Sequence, residues 1–269
     1  MDSKWRRRWH RVASDELSLG AAAVAFHAFL ALVPLGLALV GGAALIGGDR
    51  GAVERVARAL DLVAPQAVQE FLTGILADAD QHIRGEWWVI AGSVAVALFL
   101  GSRAMIALQR ALGSGSSALA VRTRRTRRMV AVLLTAAGGL VLLVSGTLLV
   151  AGRSLFVFLS HWVGLPALVG LWTWLRLPVA IAGLFGFLLV CYRYAPAQPV
   201  PHRVRAAALA TAGVVMGSVG FGLYLAWAPR LGVAFGTLGA VAAALTWLYL
   251  GAWSILAAVV IVAPEEVAM

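Results

Sequence analysis

The sequence predicts an all-α fold: a polytopic membrane helix bundle of about six transmembrane helices, with amphipathic outer-face helices between spans one and two. Three observations predict it. Hydrophobic residues make up 61% of the 269 and charged residues 13%, whereas a soluble domain is about half apolar and roughly a quarter charged. Mean hydropathy is +0.89, and so much apolar surface left in water would drive aggregation. The apolar residues also fall in long uniform runs, too long for the alternating strands of a barrel. Finally, the net charge of +10 is clustered. Arg122-Thr123-Arg124-Arg125-Thr126-Arg127-Arg128 precedes a stretch, residues 129–152, with no charge at all. Alone such a cluster suggests a nucleic-acid patch. Ahead of an uncharged run of membrane length it reads as an anchor at a lipid surface, and no nucleic-acid partner is expected.

Each element follows in order. Residues 1–16 form a basic segment in which Trp5, Trp9 and Val12 share a helical stripe among Arg6, Arg7, Arg8 and Arg11. That pattern suits an interfacial helix on anionic lipid. No cleavable signal peptide is expected, because the apolar run from Leu17 to Gly48 is far longer than a signal core of about 7–15 residues. A span needs about 20 predominantly apolar residues to cross about 30 Å of hydrocarbon. Six segments qualify: 18–47, 87–111, 129–152, 177–195, 205–228 and 236–262, inside one transmembrane domain of residues 17–263. They are read as helices because an isolated strand leaves its backbone unpaired in lipid. Residues 264–269 form a short tail.

Between spans one and two, residues 49–86 carry Val53, Val56 and Leu60, then Phe71, Leu72, Ile75 and Leu76, at helical spacing. Pro65 separates the two patterns. Two amphipathic helices are expected, packed on the outer leaflet or dipping into the bundle mouth. Residues 154–176 are apolar but interrupted by Ser160, His161, Gly164, Pro166 and Arg176, with Trp162, Trp172 and Trp174 marking an aromatic belt. They are placed at the outer interface. Gly213, Gly217 and Gly220 lie close to one helix face and are read as a helix-packing row. Lone Cys191, in an apolar stretch, excludes a disulfide framework and a cysteine metal site.

Orientation follows from the arginines. The N-terminal cluster, Arg122 to Arg128, and the group Arg193, Arg203 and Arg205 all fall on one side of a six-span chain. By the positive-inside rule that side is cytoplasmic, and so are both termini.

Several stretches resemble the YihY/virulence factor BrkB family of bacterial inner-membrane proteins, in order along nearly the whole chain. Residues Ala21 to Pro34 are similar to the family's first-span pattern, with Ala31 in place of Ser and His27 where an aromatic is common. Gly101-Ser102-Arg103-Ala104 through Leu108-Gln109-Arg110-Ala111 resembles its "SR…ALN" stretch, with Gln109 for Asn. Tyr192-Arg193-Tyr194-Ala195-Pro196 is similar to the motif closing span four. Leu223-Tyr224, Phe235 to Ala240 and Thr246-Trp247-Leu248-Tyr249 resemble the C-terminal signature. The family's Glu near the end of the last helix is missing, for this chain has Leu256-Ala257-Ala258-Val259-Val260. The resemblance implies a six-helix fold in a bacterial inner membrane. Its members once carried a ribonuclease label, since regarded as mistaken, and are discussed as transporters or envelope-lipid factors.

The residues weigh against an enzyme. His10, His27, His82, His161 and His202 are scattered over different regions, and every carboxylate lies outside the spans. There is no HxxxH, CxxC, P-loop or GxSxG pattern. No catalytic residue, metal ligand or cofactor is expected. Polar groups at membrane depth default to functional candidates. His27 lies within span one before Pro34; Arg103, Gln109 and Arg110 lie in span two; Tyr192, Arg193, Tyr224 and Thr237 are further candidates for lining a substrate cavity. Trp247, Tyr249 and Trp253 are read as helix anchors. The expected function is movement or accommodation of an amphipathic, anionic envelope substrate such as a lipid. A non-transporting scaffold or envelope-integrity factor is the alternative, with membrane lipids, a second copy or an envelope protein as partners.

Overall fold

The computed structural model describes residues 15–47, 65–66, 69–70, 72–74, 87–113, 123–141, 167–197, 200, 202–227 and 230–262. Among them the regular secondary structure is all helical. The helices are α1 (Asp15–Gly47), α2 (Trp87–Gly113), α3 (124–141), α4 (Ala167–Tyr194), α5 (Arg203–Trp227) and α6 (Arg230–Val262). Five stretches are long and apolar enough to cross a membrane: Asp15–Ala38, Trp87–Gly113, Leu177–Tyr194, Arg203–Trp227 and Leu238–Val262. Helix α3 begins the expected third span, whose remainder lies outside the described residues. So do the basic segment 1–14, the first amphipathic pattern (Val53, Val56, Leu60) and the tail.

Local chemistry sets several helix ends. Asp15 and Glu16 occupy the first turn of α1, where carboxylates complement the helix dipole. Thr123 caps α3, its hydroxyl accepting a hydrogen bond from the Thr126 backbone N–H at 3.3 Å. The arginines that follow stand in that first turn against the dipole preference, so the membrane boundary rather than helix electrostatics explains their place. Helix α4 starts ten residues before the expected start of span four, at Ala167 rather than 177. Pro166 precedes it in sequence, and proline is favoured where a helix starts, its missing N–H costing nothing there. Residues 167–176 are therefore an extension of this helix, and 154–166 lie outside the described residues. Pro34 and Pro178 sit inside α1 and α4, both of which continue through them.

Packing relies on small residues. One core cluster joins Leu17 and Ala21 of α1, Met105 and Leu108 of α2, Ala131 and Leu134 of α3, Cys191 of α4, and Ala252 and Leu256 of α6. A second joins Leu188 and Tyr192 of α4, Ala206, Ala207 and Ala210 of α5, and Ala258 of α6. With no hydrophobic drive between helices in lipid, close contact must supply the association. At Gly20 a Cβ would lie 2.9 Å from the Ala111 Cβ, and at Gly101 only 2.6 Å from the Thr135 side chain. Glycine lets α1 approach α2, and α2 approach α3, at these points.

The same contacts fix the topology. Gly20 meets Ala111, Gly101 meets Thr135, Gly138 meets Phe187 and Gly213 meets Ser254. Successive described helices therefore alternate in direction. The start of α1, the end of α2, the start of α3, the end of α4, the start of α5 and the end of α6 share one end of the bundle. Arg110, Arg124, Arg125, Arg127, Arg128, Arg193, Arg203 and Arg205 all stand at this basic end. Exposed Trp88, Trp174 and Trp227 stand toward the other. Helix rise separates Trp88 from Arg110 by about 33 Å, Trp174 from Arg193 by about 29 Å and Trp227 from Arg205 by about 33 Å. Those separations match a hydrocarbon slab of about 30 Å bounded by an aromatic belt on one side and cations on the other.

The outer segment dips into the bundle. Leu72 is buried against Ala244 of α6, with Phe29 and Leu32 of α1 and Trp247 of α6 packed around them. Pro65 opens this turn by accepting the Gln69 N–H at 3.1 Å, and Gln66 donates to Glu70 at 2.9 Å on the exposed side.

Candidate substrate-binding site

The sequence candidates divide between the exposed surface of the bundle and its interior. On α2, Arg103 and Arg110 are seven residues apart, nearly two turns, and share one exposed face. Along the axis they are separated by about 10 Å. The Arg103 guanidinium carbon lies 5.2 Å from the centre of the Phe99 ring, one turn away on the same face. This cation–π contact steadies a charge below the membrane surface, the stem lying back along α2 toward Phe99 and away from the basic end. Arg193, at the end of α4, is also exposed, 5.7 Å from the Tyr194 ring.

Gln109 faces inward. It is 5% exposed, and neither its amide nitrogen nor its amide oxygen has a hydrogen-bond partner. Tyr192 is fully buried, and its hydroxyl donates to the Ile255 carbonyl at 2.6 Å. That bond ties α4 to α6, so Tyr192 acts as a clamp between helices. His27 Nδ1 donates to the Ala23 carbonyl one turn back at 2.8 Å, with Phe26 edge-on at 5.7 Å. Tyr224 is 56% exposed and stacked on Phe221. Thr237 belongs to α6, and its side chain lies outside the described residues. Of the eight candidates, the fold groups Arg103 and Arg110 on one face and brings Gln109 and Arg193 to the same end. It does not bring His27 or Tyr224 to them.

A feature that sequence reasoning missed lies between α1 and α6. A recess of about 260 Å³ is lined by Ala22, Ala25, Phe26, Leu245, Thr246 and Tyr249. Small alanines on α1 leave the space. Next to it Ser18 and Tyr249 share a hydrogen bond of 2.8 Å, and at the same level of α6 the Trp247 indole N–H donates to Ser218 of α5 at 2.9 Å. Tyr249 and Trp247 do anchor α6, but to neighbouring helices through their polar tips. Ser18 and Tyr249 are 231 residues apart, so no spacing pattern could have joined them. Ala22 and Ala25 at one-turn spacing were the only local signal. Among the described residues no group of three His, Cys, Asp or Glu side chains could hold a metal ion.

Chemically, the arrangement offers cations at two depths on a lipid-facing helix, a buried carboxamide beside them, and an apolar recess within the membrane. Alternating apolar helices held by small residues and bounded by cations define a polytopic helical membrane protein. A family profile described as Virulence factor BrkB matches residues 8–267, and the chain belongs to that family. Compared with curated proteins and with solved structures, the chain matches none.

Proposed function

We propose that this protein is a non-enzymatic factor of the bacterial inner membrane that moves or accommodates an amphipathic, anionic envelope lipid. The observation that carries the reading is the Arg103–Arg110 stripe on the exposed face of α2. Charges at membrane depth are costly and are kept where a pathway or ligand needs them. Two arginines whose backbone positions are about 10 Å apart along one lipid-facing helix give a phosphate two successive forked partners, one near the surface and one deeper. The recess between α1 and α6 suits an acyl chain, being apolar and set within the membrane-spanning part of both helices. The eight arginines at that end support a cytoplasmic location for it, and for both termini.

The test is translocation of a fluorescent anionic phospholipid in proteoliposomes of known orientation. Movement faster than in protein-free vesicles, slowed at least threefold by Arg103→Ala, is the expected result. Rates equal to protein-free vesicles for both proteins, with no lipid retained on purification, would overturn the proposal.

A further inference from the structure

The unpaired carboxamide of Gln109 specifies a partner. An unsatisfied polar group in an apolar interior is destabilising by about 1–3 kcal/mol, and Gln109 presents two amide N–H donors and a carbonyl acceptor, all unused. Met105 and Leu112 flank it one turn away on either side, on the same face of α2. Both belong to the packing around Cys191, Ala195, Ala252 and Leu256, where α2 meets α4 and α6. Leu112 also touches the cluster that holds Tyr192 and Val200. Gln109 thus points into the junction of three helices at the basic end. Among the described residues no side chain there bonds the amide: the Tyr192 hydroxyl is committed to Ile255, the Cys191 thiol is only a weak hydrogen-bonding group, and the other neighbours named here are apolar.

The two ends of the amide restrict what can fill the gap. A phosphate diester oxygen only accepts, so it satisfies the N–H groups and leaves the carbonyl orphaned. An ammonium only donates, and it is repelled by the surrounding arginines. A hydroxyl both donates and accepts. Arg110 is the next residue, exposed at the same level, and Arg193 is exposed at the same basic end, near the close of α4. Those cations take the anionic part of a molecule whose hydroxyl reaches Gln109.

We infer that Gln109 is the headgroup-selecting residue of a site at the basic end, taking a phosphodiester that bears a hydroxyl, with Arg110 and Arg193 holding the phosphate. This rests on the lipid reading proposed above and names the class of headgroup. Entry needs a local side-chain change, and Met105, unbranched, flexible and one turn from Gln109 on the same face, is suited to make it.

The test measures binding rather than movement, so it can fail or succeed independently of translocation. Purified full-length protein is titrated with phosphatidylglycerol and with phosphatidylmethanol, two anionic phosphodiesters that differ in headgroup hydroxyls. The diesters glyceryl methyl phosphate and dimethyl phosphate form a second pair, free in solution. Phosphatidylglycerol should bind about tenfold more tightly than phosphatidylmethanol, the value of roughly one buried hydrogen bond. Gln109→Met, similar in size and apolar, should erase the preference while leaving anionic binding intact; Arg110→Ala should weaken both lipids together. The same preference between the soluble pair alone would identify a soluble phosphate ester as the source, with the shared chemistry upheld. Equal binding within both pairs by the wild-type protein overturns the inference, whether or not Gln109→Met purifies. So does a preference that persists in Gln109→Met. Equal binding with a higher melting temperature for Gln109→Met would mean that the amide holds at most a buried water.

Discussion

The side chains that hold this bundle act through single polar contacts in an apolar setting. The Tyr192 hydroxyl bonds the Ile255 carbonyl with no exposed surface on the tyrosine. Tyr192→Phe should therefore lower stability in detergent by about 1 kcal/mol, with the ring still filling its place. A melting temperature unchanged from wild type would show that the bond contributes nothing. His202, just before α5, has a backbone φ of 49°, the left-handed region that a side chain enters at a cost. His202→Val should cost about 1–2 kcal/mol, since a β-branched residue is worst there. His202→Gly should be close to neutral, relieved strain offsetting the extra freedom of the unfolded chain. Thermal denaturation of the two variants side by side checks the order. A valine variant as stable as the glycine variant would contradict the strain.

At the scale of helices, close approach decides which pairs form. A side chain at Gly20 meets the Ala111 Cβ, whereas one at Gly222 meets nothing within 4 Å. Gly20→Val should separate α1 from α2 and lower stability by about 1–3 kcal/mol. Gly222→Ala should be tolerated or slightly stabilising, by up to about 1 kcal/mol. Equal melting temperatures for the two would remove the role assigned to the α1–α2 contact. Much of each helix was legible beforehand. The starts expected at 18, 87 and 205 fall within three residues of those observed at Asp15, Trp87 and Arg203, because the length of an apolar run reports the thickness of lipid directly. The start of α4 was not, because Arg176 and a run of tryptophans mimic the end of a span while Pro166 can equally begin a helix. Pairing was not legible either. Alanine and glycine line most faces of these helices, so composition says that they pack but not against whom. Within the glycine row of α5, Gly213 faces Ser254 and Gly217 reaches Leu250, while Gly220 faces nothing within 4 Å.

For the whole molecule, the described arginines between residues 124 and 128, with Arg193, Arg203 and Arg205, coincide with one end of the alternating helices, so the topology follows from charge and span order together. The candidate site was legible only in part. The seven-residue spacing of Arg103 and Arg110 put them on one face, but that the face is exposed and that Gln109 turns inward depend on neighbours far away in the chain. Orientation is open to a direct check. In a Cys191→Ala background, Arg127→Cys should react with a membrane-impermeant thiol reagent only in inverted vesicles, and Trp87→Cys only from the opposite side. Reaction of Arg127→Cys in intact cells would reverse the orientation.

The packing of Leu72 between α1 and α6 also imposes an order on biogenesis. Phe29 and Leu32 leave the ribosome early, but Ala244 and Trp247, which complete the pocket for Leu72, are made near the end. The outer segment must therefore wait, its apolar face without a home, until the last helix enters the membrane. A chain stopped before α6 would carry an unsealed seam along α1 and become a substrate for membrane proteases. Degradation of such truncated chains, and survival of the full-length chain under the same conditions, is the result expected from pulse-chase labelling.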